Sequence, residues 1–132
     1  ESRSHLQTVQ GANRYRIEAI RDDVSHQLLL SQRVDPAAIH TNHALSSALR
    51  QLSKHRADLV ASNSPVAWLQ LEELGVDSRQ YEEVWTLGSE EFCYAFNRQI
   101  DDARVQQFQQ ALDRVRQQAD YPALLQRFGL AP

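Results

Sequence analysis

The sequence contains no methionine, one cysteine, four glycines and four prolines in 132 residues. A single cysteine, Cys93, excludes an intrachain disulfide and leaves the redox compartment unread. The missing methionine, with Glu1-Ser2-Arg3 at the start, gives the expectation of a chain that is processed, excised or part of a longer protein. No apolar run approaches the ~20 residues that a membrane-spanning helix needs. Basic residues are sparse and scattered. With 14 Lys and Arg against 17 Asp and Glu, the formal net charge is -3, and no stripe suited to nucleic acid forms. No repeat or low-complexity segment is present.

What remains is ordinary globular material. Hydrophobic residues make up 42% and charged residues 23%, enough for one domain with a buried core. Residues 1–13 read as a polar lead-in with a turn at Gly11 and Asn13. Residues 15–20 alternate as a strand, with Ile17 and Ala19 at the apolar positions. Asp22 and Asp23 precede a helix that ends near Arg33, ahead of Asp35-Pro36. A short strand at 38–40 leads to Thr41 or Asn42 as cap of a helix over 43–54, with Leu45, Leu49 and Leu52 on one face.

A third strand is expected at 57–61. Ser64 then caps a helix with Pro65 in its first turn and Gly75 just past its end. Residues 81–87 read as a fourth strand, with Tyr81, Glu83, Trp85 and Leu87 on one side, and 92–96 as a fifth. Asp101 caps the longest helix, to about residue 119, with Val105, Phe108, Leu112 and Val115 as an apolar stripe; a short helix over 121–128 closes the chain. Strands alternating with helices predict an α/β fold: a mostly parallel sheet of about five strands flanked by helices.

Two turns are candidates for chemistry. Arg21 to Ser25 stand where the unpaired first amides of a helix can hold an anion, aided by the Ser25 hydroxyl and the Arg21 charge. Two aspartates in that turn would repel an anion, and capping alone would explain them. Ser62 and Asn63 end the third strand, where open sheets bind ligands. Asn63 offers donors and an acceptor to a neutral polar group, and cap chemistry is the competing reading. The five histidines lack metal-binding spacing, so no metal is expected. Cys93, mid-strand in an aromatic run, is expected to be a buried, inert thiol. Glu72-Glu73 and Glu82-Glu83 are sequence neighbours whose side chains point apart, which makes poor acid/base pairs.

Four segments, in order, carry a family resemblance. They are Leu49-Arg50-Gln51-Leu52 leading into LSKHRADLVASNSPVAW (52–68), EFCYAFN (91–97), RVQQFQQAL (104–112) and ADYPALLQRF (119–128). Together they resemble the type II extracellular (periplasmic) solute-binding proteins, in particular the family that serves polar amino acid ABC transporters, over about 15–128. The resemblance implies a periplasmic-binding-protein-like second lobe at 14–98, with C-terminal helices at 99–132 that return to a first lobe outside this chain. It implies hinge closure on a small polar solute, a periplasmic location, an ABC permease as partner and no enzymatic activity or cofactor.

Carried residue by residue, the resemblance places ligand contacts at Arg21, Val24, Ser25, Ser62 and Asn63. Two departures stand out. Asn63 is neutral where amino-acid binders place an aspartate, and the first turn reads Asp-Asp-Val where they favour Gly-Thr. An extracytoplasmic sensor domain of a membrane signalling protein is the alternative. Dehydratase chemistry lacks its acid at Asn63. The apolar stripe of the long helix is expected to pair with a second copy in a homodimer or to fold back on its own sheet.

Overall fold

The computed structural model describes residues 9–89 and 93–127. The chain is α/β, and its contacts divide it after Ser89 into two compact units. The first carries the sheet. One helical turn, α1 (Val9–Ala12), precedes β1 (Ile17–Ile20), α2 (Val24–Ser31), β2 (Ile39–Asn42), α3 (Leu45–Ser53), β3 (Leu59–Val60) and α4 (Ser64–Glu73). The second holds α5 (Asp102–Arg116) and α6 (Tyr121–Arg127).

All pairing is parallel, in the order β2-β1-β3. Ile17 faces Ile39 on one side and Leu59 on the other, so β1 is the central strand. Both faces are covered. Ile17, Ala19, Leu29, Val34 and Ala61 form one cluster with Ala12, under α2. Leu45, Leu49 and Leu71 form the other, where α3 and α4 pack on Ile20 and Val60. Burying a large aliphatic side chain contributes roughly 1.5–3 kcal/mol, so these two layers hold the strands together.

Three helices end on the same device. Arg33, His55 and Gly75 follow α2, α3 and α4 with φ of 65°, 55° and 68°. In each case two amides fold back: Arg33 and Val34 onto the carbonyls of Leu30 and Leu29, His55 and Arg56 onto Leu52 and Gln51, Gly75 and Val76 onto Glu72 and Leu71. This satisfies last-turn carbonyls that would otherwise lack donors. Only the third position is a glycine, as the sequence predicts.

Several expectations are corrected. The sheet has three strands among the described residues, not about five. Residues 81–87 form no strand: Tyr81 packs with the α4 cluster, whereas Trp85 and Leu87 pack with the α2 cluster. The segment thus passes from one side of the sheet to the other, which no strand presenting a single face can do. The expected fifth strand begins on residues outside the described set, and 93–97 is not a strand. Cys93 is exposed, because no sheet covers it. Residues 9–12 are helical and Ala12 is fully buried, so the end of the expected lead-in belongs to the core; its earlier part lies outside the described residues.

Thr41 and Asn42 belong to β2, since register with Ala19 and Ile20 claims them, and α3 begins after Ala44. In the second unit Asp101 does cap α5, accepting from the Ala103 amide. The stripe on α5 is not buried: Phe108 and Val115 are exposed, and Phe108 meets Tyr94 and Phe96 edge to face at centroid distances of 4.9 and 5.3 Å. No described helix is long and apolar enough to cross a membrane.

Candidate functional site

In a parallel sheet every strand delivers its following loop to the same edge. Here β1 feeds α2 on one face, while β3 feeds α4 on the other. Adjacent strands whose chains leave in opposite directions open a crevice at that edge, and such crevices are where α/β sheets bind ligands. The two turns singled out in the sequence, after β1 and after β3, flank it.

The first turn is tied down by backbone. The Arg21 amide donates to the Asn42 carbonyl at 2.9 Å, and Arg21 Nε donates to Thr41 Oγ1 at 3.3 Å. Asp22 adopts φ 60°, a left-handed conformation that Asp tolerates better than most residues. Its amide donates to His26 Nδ1 at 3.2 Å, so that nitrogen is an acceptor and the ring proton sits on Nε2.

Asp23 occupies the N-cap of α2 without capping it. Its carboxylate instead accepts from Ser25 Oγ at 3.2 Å. Among the described residues, the amides of Val24, Ser25 and His26 therefore find no acceptor. Ser25 is 6% exposed, so its hydroxyl and amide are sheltered, while Val24 before it is 50% exposed. The unpaired amides and the macrodipole favour an anion here, against the charges of Asp22 and Asp23.

The second turn is organised differently from the sequence expectation. Asn63, not Ser64, is the N-cap of α4; its Oδ1 accepts from the Val66 amide at 3.3 Å. Ser64 is the first helical residue and donates its hydroxyl to Glu83, which also accepts from Trp68 Nε1 at 3.1 Å. The Ser62 hydroxyl reaches only the Asn63 carbonyl, at 3.4 Å. Asn63 thus commits its acceptor to the helix, which corrects the assignment of Ser64 as cap. Arg21, Val24 and Ser25 share one turn, Ser62 and Asn63 the other; no hydrogen bond among the described residues joins them.

One residue of this sheet escapes the sequence pattern. Glu18 lies in the central strand, 3% exposed. Arg16 Nε donates to its Oε1 at 3.3 Å and Asn42 Nδ2 to its Oε2 at 2.6 Å. Taken as a half-buried strand, β1 assigns Glu18 to solvent. The signal that could have found it is the helix after β2, which must cover that face.

Elsewhere, an open depression of about 320 Å³ lies at the opposite, amino edge of the sheet, between Arg14, Arg16, Asp35 and His40. It mixes both signs of charge and stands wide to solvent; the uncapped amides of α2 lie at the carboxyl edge instead. Among the described residues no group of three His, Cys, Asp or Glu side chains lies close enough to hold a metal ion. No family model, curated protein or solved structure matches the chain.

Proposed function

We propose that this chain is a non-catalytic ligand-binding lobe of the periplasmic solute-binding type, working outside the cytoplasm with an ABC-type permease. It offers one wall of a cleft that closes on a small polar solute carrying a carboxylate. The supporting observation is the start of α2: three amides without an acceptor, at the chain reversal between β1 and β3, with Arg21 and Ser25 beside them. A solute carboxylate there would accept from those amides and meet the Arg21 charge. Closure would be driven by contacts made only when a second wall meets the same solute.

The altered second turn bears on the choice of solute. Asn63 is neutral and already occupied as a cap, so an ammonium finds no charge partner at that position. The reading therefore rests on the carboxylate end of the solute rather than on its amino end.

One wall alone binds weakly. Titration of the chain with acetate, followed by amide NMR, should move the Val24, Ser25 and His26 resonances with a dissociation constant of about 1 mM, or about -4 kcal/mol. Silent resonances at these three positions would remove the basis of the proposal. Micromolar binding of a free amino acid would contradict the one-wall reading instead.

A further inference from the structure

The longest helix, α5, buries none of its residues. Neither core cluster includes a residue of the second unit, and among the described residues no other helix or strand makes an extended contact with α5. An isolated helix of this length is marginal in water; in proteins its stability comes from packing an amphipathic face. α5 has such a face. Val105, Phe108, Leu112 and Val115 stand at intervals of three, four and three, the spacing of a two-stranded coiled-coil seam. Phe108 and Val115 are exposed, Val105 and Leu112 half-buried. The rings of Tyr94 and Phe96 lean on Phe108 and are exposed themselves, so they widen the apolar face without closing it.

The charges beside the seam say what fits it. Asp102 and Arg116 stand two heptads apart on one flank, at opposite ends of the helix. Both are exposed, and neither side chain has a hydrogen-bond or ion-pair partner among the described residues.

Laid antiparallel against a second copy, the seam is complementary to itself. Val105 meets Val115 of the second copy, and Phe108 meets its Leu112. In that register each Asp102 also faces Arg116 of the second copy, once at either end. The helix dipoles then oppose, which adds to the attraction. A parallel pair does the reverse: it brings the two acidic ends together and the two basic ends, Arg114 and Arg116, together.

We propose that α5 is a self-association surface whose partner is α5 of a second copy, paired antiparallel about a two-fold axis. The family resemblance gives this face to a first lobe outside the chain. The fit of both the seam and the flanking charges to their own copies favours the second copy instead. The carboxylate site plays no part in this, since all its residues belong to the first unit.

Sedimentation equilibrium of the whole chain tests it, at low salt, where exposed charges are least screened. The average mass should rise with concentration from 15.1 kDa toward twice that value. Asp102→Arg sets two like-charged pairs across the contact, and Arg116→Asp does the same with the opposite sign. Each variant alone should dimerise about tenfold more weakly. Mixed in equal amounts, the two should associate within about twofold of the parent chain, because each 102–116 pair is then opposite in sign again. Both positions are exposed, so neither change disturbs packing within the chain. Val115→Ser, at an exposed seam position, should also weaken the dimer, and no charge partner should restore it.

A mass that holds at 15.1 kDa up to about 1 mM overturns the proposal and gives the face to another part of this chain or to a different protein. A dimer indifferent to both charge changes has its contact elsewhere. One that both changes weaken but mixing does not restore is not antiparallel in this register. Either result overturns the proposal as well. Acetate shifts at the α2 amides, followed on the same samples, stand or fall separately.

Discussion

Ser25 Oγ donates to Asp23 Oδ2 across 3.2 Å, and through that bond the N-cap residue of α2 turns its carboxylate away from the helix it precedes. The pair keeps the first amides of α2 open. Either partner can be changed to ask what the arrangement is for.

Removing the hydroxyl should close the site. In Ser25→Ala the Asp23 carboxylate is free to swing onto the α2 amides as an ordinary cap. Stability should change by less than about 1 kcal/mol, because a gained cap offsets a lost hydrogen bond. Acetate affinity should fall. Asp23→Ala acts in the opposite sense: it removes a like charge worth about 1 kcal/mol, so acetate should bind roughly fivefold tighter. Acetate titrations of the two variants, with urea denaturation alongside, check both signs.

The cap of α4 is Asn63. Asn63→Ala should cost about 1 kcal/mol, and Asn63→Asp should be neutral or slightly stabilising, since aspartate caps as well and suits the positive end of the helix. Ser64→Ala should leave the cap intact and release Glu83 from one of its two donors. Urea midpoints rank the three variants, and an equal loss for Asn63→Ala and Ser64→Ala would refute the assignment.

Arg33 and His55 hold left-handed backbone where α4 uses Gly75. A residue with a Cβ is disfavoured there by roughly 1–2 kcal/mol. Arg33→Gly and His55→Gly should each stabilise the chain by up to about 1 kcal/mol, since glycine's greater freedom when unfolded takes back part of the gain. Both positions are exposed, so no packing is lost. The check is a rise in the urea midpoint without a change in slope.

Asp77 is the described carboxyl group with a resolved shift, its pKa lowered from 3.8 by the Arg79 side chain and then by the Arg79 amide. The guanidinium lies 2.9 Å away, and its own pKa is raised by the same bond. A carboxyl depressed in the folded state adds stability that is present above its unfolded value and is lost as pH falls through its folded one. The window therefore opens below 3.8. A carboxyl-detected NMR titration should place Asp77 below the ordinary value, and Arg79→Ala should return it toward that value.

The sequence made β1, α2, α3, α4 and α5 legible because each has its own period or cap. Asp101 and Gly75 were readable for the same reason, being local chemistry at helix ends. Residues 81–87 were not, although Tyr81, Glu83, Trp85 and Leu87 alternate. The destinations of Tyr81 and Trp85 lie on different faces of the sheet, which alternation does not encode. The sequence pointed to Ser64 as the cap of α4, but Asn63 takes that role and Ser64 donates to Glu83, 19 residues away. Of the expected site, the two turns lie at the edge the sequence pointed to. The roles inside the second turn depend on contacts that neighbouring residues do not specify. Glu18 stayed hidden because a strand covered on both faces gives a charged residue no visible outside.

The central position of β1 also sets an order of events. β1 is the first strand in the chain and the one that both others need. β2 can reach it after a single crossover. β3 joins only when α3 has carried the chain back across the sheet, a closure that brings Asp58 to Arg16 over 42 residues. Contacts of such long span form late and slow the search. The β1–α2–β2 portion should therefore assemble first, and the crevice between β1 and β3 should exist only after the last strand has docked.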